Sequence, residues 1–284
     1  MITITKPVDL QNKALSLKRE GKKIGLVPTM GFLHEGHMSL IGESKKKTDL
    51  TIVTIFVNPT QFGENEDYGK YPRDLERDKN LLVELGTDIL FTPDSDDIYG
   101  DDYHTYINVE ELSDIMCGKS RPIHFKGVCT IVNKLFNLAQ PDIAFFGKKD
   151  YQQYVIIKRM SKDLNIPIDI AGCPIIREKD GLAMSSRNKY LSDSERKSAK
   201  LIYKTLKDSA DKIKEGISDI ETLCKKSKKT LLKDENIGKV DYYDFRDPEN
   251  LSLLNGTRKQ KEILIATAVW VGSTRLIDNI VIRL

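Results

Sequence analysis

Long apolar runs, paired cysteines and an excess of either charge are all missing from this 284-residue chain. No stretch approaches the roughly 18 consecutive apolar residues of a membrane-spanning helix. The opening Met1-Ile2-Thr3-Ile4-Thr5-Lys6-Pro7 lacks the charged-then-apolar order of a signal peptide. Cys117, Cys129, Cys173 and Cys224 stand singly, with no Cys-x-x-Cys pair, which argues against a disulfide framework and suits a reducing compartment. With 45 basic and 42 acidic residues the net charge is +3, too small a field to draw nucleic acid or anionic lipid. Histidine is scarce as well, at four residues: His34, His37, His104 and His124. The expectation is a soluble, cytoplasmic protein with neither nucleic-acid nor membrane partners.

What is present is a regular alternation. At 39% hydrophobic residues the chain can bury a real core, and its length suggests about two domains. The pattern predicts strands over residues 23–27, 49–57, 88–91, 142–146 and 168–176. Helices are predicted from residue 38 onward and over 73–85, 128–138 and 151–163. The 49–57 run is apolar and β-branched almost throughout, as in a strand buried on both faces of a parallel sheet. Beyond Arg177 the texture changes: Ser192-Asp193-Ser194-Glu195 opens a charged helix to about residue 215. A second helix over 217–232 and strands over 240–245, 262–271 and 274–284 follow. The fold class is therefore α/β: a Rossmann-like doubly wound parallel sheet domain over residues 1–176, then a smaller α+β C-terminal domain over 177–284. No repeat or low-complexity segment interrupts it.

Four stretches carry candidate chemistry. Pro28-Thr29-Met30-Gly31-Phe32-Leu33-His34-Glu35-Gly36-His37 follows a predicted strand and opens a helix. Such a turn aims backbone N–H groups and the positive end of the helix dipole at an anion. The two histidines could also be ordinary helix-start residues or half of a metal site, but no further ligands stand at zinc spacing. Asn58 and Gln61 emerge at the end of the next strand, where amides suit a substrate bearing hydroxyl and carboxylate groups. Gly147, Lys148, Lys149 and Asp150 occupy a strand-to-helix junction suited to phosphate, with Gln153 one turn inside. Ser185, Ser186 and Arg187 form an anion clamp near the domain junction, expected opposite the histidine turn and able to close over a triphosphate.

Taken together these stretches resemble the pantothenate synthetases, the pantoate and β-alanine ligases, over essentially the whole chain. The likeness runs through Pro28-Thr29-Met30-Gly31, His34-x-Gly36-His37, Phe56-Val57-Asn58-Pro59-x-Gln61-Phe62 and Tyr71-Pro72-Arg73. It continues through Gly118-Lys119-Ser120-Arg121-Pro122, His124-Phe125-x-Gly127-Val128, Phe146-Gly147-x-Lys149-Asp150-x-Gln152-Gln153 and Asp180-Gly181-Leu182-Ala183-Met184-Ser185-Ser186-Arg187-Asn188. His-x-Gly-His alone would mark only the wider nucleotidylyltransferase superfamily.

The resemblance implies an ATP-dependent ligation of (R)-pantoate and β-alanine through a pantoyl adenylate, releasing pyrophosphate and then AMP. It implies that Met30, Gly31, Phe32, Leu33, His34, Glu35, Gly36 and His37 line the ATP site, the two imidazoles on its phosphates. Gly147, Lys148, Lys149 and Asp150 would contact ATP, with Lys149 favoured over a solvent-facing Lys148 as the phosphate contact. Ile176, Met184, Ser185, Ser186 and Arg187 would complete the nucleotide site, and Gln61 and Gln153 would hold pantoate. Asp78 matches the acidic position used for Mg²⁺, directly or through water. His37 is the expected general acid unless it serves only as a hydrogen-bond donor, with His34, Lys149, Ser185, Ser186 and Arg187 assisting. The family expectation also includes a homodimer and a closing C-terminal lid hinged near Gly181. Competing readings are a nucleotidyltransferase that stops at the adduct, an aminoacyl-tRNA synthetase fragment, for which there is no basic stripe, and a nucleotide-sensing module.

Overall fold

The computed structural model describes residues 1–64, 66–257 and 260–284. It begins with two elements absent from the predicted pattern, strand β1 (Ile2–Ile4) and helix α1 (Pro7–Arg19). Pro7 sits at the first helical position, where its missing N–H costs nothing. Leu10, Ala14 and Leu17 recur at helical spacing and are buried. The alternation then runs β2 (Ile24–Thr29), α2 (Glu35–Lys47), β3 (Leu50–Ile55), α3 (Leu75–Glu84) and β4 (Ile89–Phe91). Two single-turn helices, α4 (Ser95–Ile98) and α5 (Cys117–Ser120), punctuate an irregular stretch before α6 (His124–Ala139). The series ends with β5 (Ile143–Gly147), α7 (Tyr151–Asp163) and β6 (Asp169–Cys173). Strand β3 stops two residues short of the predicted 57 and β6 three short of 176, while α6 starts four residues before the predicted 128. β-branched or apolar residues beyond a strand's last ladder bond look like strand in sequence but belong to the loops.

All six strands are parallel, in the order β1-β4-β3-β2-β5-β6. The chain leaves β2 toward β3 and β4 on one side and returns to its other side with β5 and β6. The carboxyl ends of β2 and β5 therefore flank a topological switch point, where open α/β sheets bind ligands. Val27, Val53, Leu90 and Phe145 from the sheet pack with Leu33, Leu40, Ile41 and Leu82 in one buried cluster.

The opposite edge of the sheet is closed by carboxylates. The residue just before β3, Asp49, accepts the Lys23 N–H (2.7 Å), Asp88 just before β4 accepts that of Thr51 (2.8 Å), and Asp142 just before β5 accepts that of Ile24 (2.7 Å). Each aspartate thereby satisfies a donor at the start of a neighbouring strand that has no ladder partner.

Contacts divide the chain into two units, Met1–Lys148 with Gln153–Pro174, and Lys149–Gln152 with Ile175–Leu284. The second holds α8 (Asp193–Lys214), α9 (Ile220–Leu231) and an antiparallel sheet of β7 (Ile237–Arg246), β8 (Glu262–Val271) and β9 (Thr274–Arg283) in that order. Ser192 and Glu195 close a reciprocal capping box at the start of α8. Tyr243, Phe245, Ile263 and Ile265 of the sheet pack against Ile202, Leu206 and Leu231 of the helices, all at most 2% exposed.

Candidate active site

The turn after β2 is held by one carboxylate. Gly31 takes φ +83°, open to glycine at no steric cost, and a Cβ there would come within 2.9 Å of Ile55 and 3.2 Å of Asp78. Phe32 follows in the left-handed region at φ 49°. What secures it is Asp78, 1% exposed, whose two oxygens accept the N–H groups of Phe32 (2.6 Å) and Leu33 (2.9 Å). Burial pushes the Asp78 carboxyl above the usual range, against the pull of those two N–H groups and of Arg77. Arg77 itself donates to the Leu33 carbonyl (2.9 Å) and lies over the Phe32 ring (5.1 Å to its centre). A strained residue at the mouth of a sheet, fixed by a buried acid, is typical of a site where backbone must meet ligand.

His34 and His37 then start helix α2 by capping each other's backbone. Nδ1 of His34 accepts the Gly36 N–H (3.1 Å), and Nδ1 of His37 accepts the His34 N–H (3.3 Å). The rings sit 4.1 Å apart, tilted by 41°. Because both Nδ1 atoms are acceptors, each neutral ring carries its proton on Nε2. The pair therefore joins two Nε2–H donors to the positive helix terminus.

Gln61, buried at the end of a 3-10 turn (Pro59–Gln61), is equally fixed. Its Nε2 donates to Met30 Sδ (3.0 Å), which joins the loop after β3 to the histidine turn. Its Oε1 accepts from Asn58 Nδ2 (3.2 Å), and its carbonyl meets His124 Nδ1 (3.0 Å) and Arg121 (3.4 Å). Helix α6 approaches so closely that a Cβ on Gly127 would lie 2.4 Å from the Thr60 carbonyl oxygen. Arg121 and His124 thus brace Gln61 from 60 and 63 residues away, together with Asn58 and Gly127. Sequence reasoning quoted all four in the motifs but gave them no such task.

Gly147 ends β5 with open space where a Cβ would stand. Lys148 does not stand out into solvent as expected: its stem lies along Gly172 and its ammonium 5.8 Å from the Tyr154 ring centre. Lys149 pairs with Asp150 at 3.6 Å. Gln153 lies in the first turn of α7 and is half-buried.

In the second unit, Met184 N donates to the Ile176 carbonyl (3.0 Å) and Arg177 bridges Ala183, so that Ile176 and Met184 share one small hairpin. Its turn uses Gly181 at φ +93°, against the ring of Tyr203. Arg177 fixes it, donating to the Gly181 carbonyl (3.0 Å) and in a fork to Asp278 (2.7 and 2.9 Å). These bonds fasten the Gly181 turn to Arg177 and, through it, to Asp278. Ser185 caps a 3-10 turn (Ser186–Tyr190), its hydroxyl accepting the Arg187 N–H (3.3 Å). Asn188 ties the turn to Glu178 (2.7 Å) and to the Ala183 carbonyl (3.1 Å).

Among the described residues no group of three or more His, Cys, Asp or Glu side chains could hold a metal ion, and no helix is long and apolar enough to cross a membrane.

A model of the pantoate–β-alanine ligase family matches residues 2–281. A pantothenate synthetase of Caldicellulosiruptor saccharolyticus is 51% identical over 283 residues, covering 100% of both chains. One from a Sulfurihydrogenibium species is 50% identical over 280 residues, covering 99% of each. Among solved structures, a pantothenate synthetase from Thermus thermophilus superposes with a TM-score of 0.92 at 40% identity, covering 99% of each chain. A pantoate–β-alanine ligase from Francisella tularensis, crystallised with a β-γ ATP and β-alanine, gives 0.79 at 37% identity, covering 99% of this chain and 97% of that one.

Proposed function

The chain belongs to the pantoate–β-alanine ligase family, and from that premise we propose that it makes pantothenate in two half-reactions on one bound nucleotide. In the first, a carboxylate oxygen of (R)-pantoate attacks the α-phosphorus of ATP, the bond to the β-phosphate oxygen breaks, and pyrophosphate leaves with the electron pair. In the second, the amine of β-alanine attacks the acyl carbon of the pantoyl adenylate, AMP departs, and the nitrogen loses a proton as the amide forms. The observation that carries the reading is a family match from residue 2 to residue 281 that includes every motif of the candidate site.

Attack at phosphorus asks little covalent help of a protein and much positive charge and hydrogen-bond donation. His34 and His37 would place their Nε2–H groups on the phosphates, above a helix N-terminus. The capping bonds bear on the role of His37: to act as a general acid it would first take a proton on Nδ1, which would break its bond to the His34 N–H. We therefore assign it hydrogen-bond donation. His37→Gln, which can both cap and donate, is expected to keep far more activity than His37→Glu; equal losses would reject the assignment. Met30 and Gly31 would lie along the nucleotide with Phe32, Leu33, Glu35 and Gly36, and Gly147, Lys148, Lys149 and Asp150 would face ribose and phosphates. Ile176 with Met184, Ser185, Ser186 and Arg187 would engage the same nucleotide, and Gln61 and Gln153 would hold pantoate.

Mg²⁺, carried on the triphosphate, would neutralise charge that builds as pyrophosphate departs. Asp78, with one backbone N–H on each of its oxygens, keeps acceptor sites with which it would hold the ion directly or through water. A cytoplasmic homodimer is part of the same reading.

The deciding experiment is pyrophosphate release from ATP and Mg²⁺ with (R)-pantoate, followed by mass spectrometry before and after β-alanine is added. A pantoyl adenylate that turns into pantothenate and AMP only on that addition is the expected result. ATP binding without pantoate-dependent pyrophosphate would instead favour a nucleotidyltransferase acting on another acceptor.

A further inference from the structure

Tyr99 belongs to none of the motifs that define the site, yet its hydroxyl donates to Asn58 Oδ1 at 2.8 Å. Thr60 donates to the same oxygen at 3.0 Å. On the other side of the amide, Asn58 Nδ2 donates to Gln61 Oε1 and to the Gly127 carbonyl, both at 3.2 Å. Asn58 is 1% exposed, and all of its hydrogen-bonding capacity is used. An amide so placed has one orientation: turned over, its oxygen would face the Gly127 carbonyl, which can only accept, so the NH₂ stays on that side and Oδ1 takes the hydrogens of Tyr99 and Thr60.

That orientation is passed on. With Oε1 receiving the Asn58 N–H, Gln61 must present its own NH₂ on the other side, where one hydrogen meets Met30 Sδ. The second hydrogen then suits a substrate oxygen. Tyr99 is itself held in place: its ring packs edge-on against Tyr103 (4.9 Å) and near Phe56 (6.4 Å), with the Lys134 ammonium 5.6 Å from its centre. Burial pushes its hydroxyl up to about 12, so it keeps its proton and remains a donor.

We infer that Tyr99 is a positioning residue for the acid substrate, acting through Asn58 to set Gln61 as an N–H donor toward a carboxylate or hydroxyl oxygen. The inference rests on the reading of Gln61 as a pantoate ligand given above.

The test is a double-mutant cycle with Tyr99→Phe and Gln61→Ala, read as the KM for pantoate, or as its Kd by calorimetry where turnover is too slow. Tyr99→Phe is expected to raise the pantoate value about fivefold, the scale of one neutral hydrogen bond, while leaving the KM for ATP unchanged. In the Gln61→Ala background the same change is expected to have no effect, because the group it positions is gone. Should Tyr99→Phe be too unstable to assay, Thr60→Val takes its place in the same cycle, since it removes the other donor to the same oxygen. Additive effects, or a parallel rise in the KM for ATP, would overturn the inference while pantoate-dependent pyrophosphate release by the wild type left the ligase reading intact. A wild type that releases no pyrophosphate with pantoate would overturn both.

Discussion

At the scale of single residues, His34 and His37 serve two purposes that a substitution can separate. Ser192 and Glu195 make the ordinary form of their reciprocal cap elsewhere in this chain. His34→Ser with His37→Glu would write that form into the histidine turn, restoring the helix start but supplying no imidazole donors. The double variant is expected to melt close to wild type and to lose about 100-fold or more in pyrophosphate release, the range for removed transition-state donors. His34→Ala with His37→Ala should lose the activity and also about 1 kcal/mol of stability, as lost caps do. Parallel melting curves and rates check both. The histidine turn was legible in the sequence because a helix start between glycines is a local feature. The hold of Asp78 on Phe32, across 46 residues, was not. The family resemblance marked Asp78 as an acid of interest, whereas only the fold shows its oxygens on two backbone N–H groups.

Elements meet at glycines, and two of these distinguish packing from ligand contact. Gly127→Ala would drive a methyl group into the Thr60 carbonyl and Gln61 N, displacing the 3-10 turn; a loss of about 1–3 kcal/mol is expected, as for overpacking, with a raised KM for pantoate. Gly147→Ala meets nothing within 4 Å, so its melting temperature should not move; if the nucleotide passes there, the KM for ATP rises alone. Strand and helix order was readable because buried parallel strands and amphipathic helices differ in period. The first two elements escaped because β1 spans three residues and α1 starts without a side-chain cap.

Among the aspartates just before β3, β4 and β5, Asp142 gives the sheet a pH response. Burial works against the Asp142 charge, but Lys18 and the Ile24 N–H outweigh it and hold the carboxyl below its usual range. A carboxyl lowered in the fold stabilises at pH values above its unfolded pKa of about 3.9, and that contribution is lost as pH falls through the lower folded value. Asp142→Asn should therefore flatten the acid limb of a stability–pH curve below about pH 4 and cost, because the pair with Lys18 is partly exposed, no more than about 1 kcal/mol at neutral pH. Urea midpoints measured from pH 2 to 7 would show it.

For the molecule as a whole, three of the four cysteines are withdrawn from solvent. Cys117, Cys129 and Cys173 are buried, and burial pushes the Cys129 thiol up to about 12. Cys224, half-buried and also raised by burial, donates to the Tyr243 carbonyl at 2.8 Å. A thiol reagent at neutral pH is expected to label the native protein slowly and at Cys224 first, and all four cysteines only in denaturant. That the cysteines stand singly is read directly off the sequence. The membership of the two units was harder to see, since the segment Lys149–Gln152 groups with residues more than a hundred positions away, as Asn279 donating to the Lys149 carbonyl illustrates. The parallel sheet also sorts its side chains along its length, with carboxylates fastening the amino ends of the strands and the candidate chemistry at the carboxyl ends. Heritable change should divide accordingly: drift at Asp142 would alter how well the fold withstands acid, and drift at the far ends would alter what the protein makes.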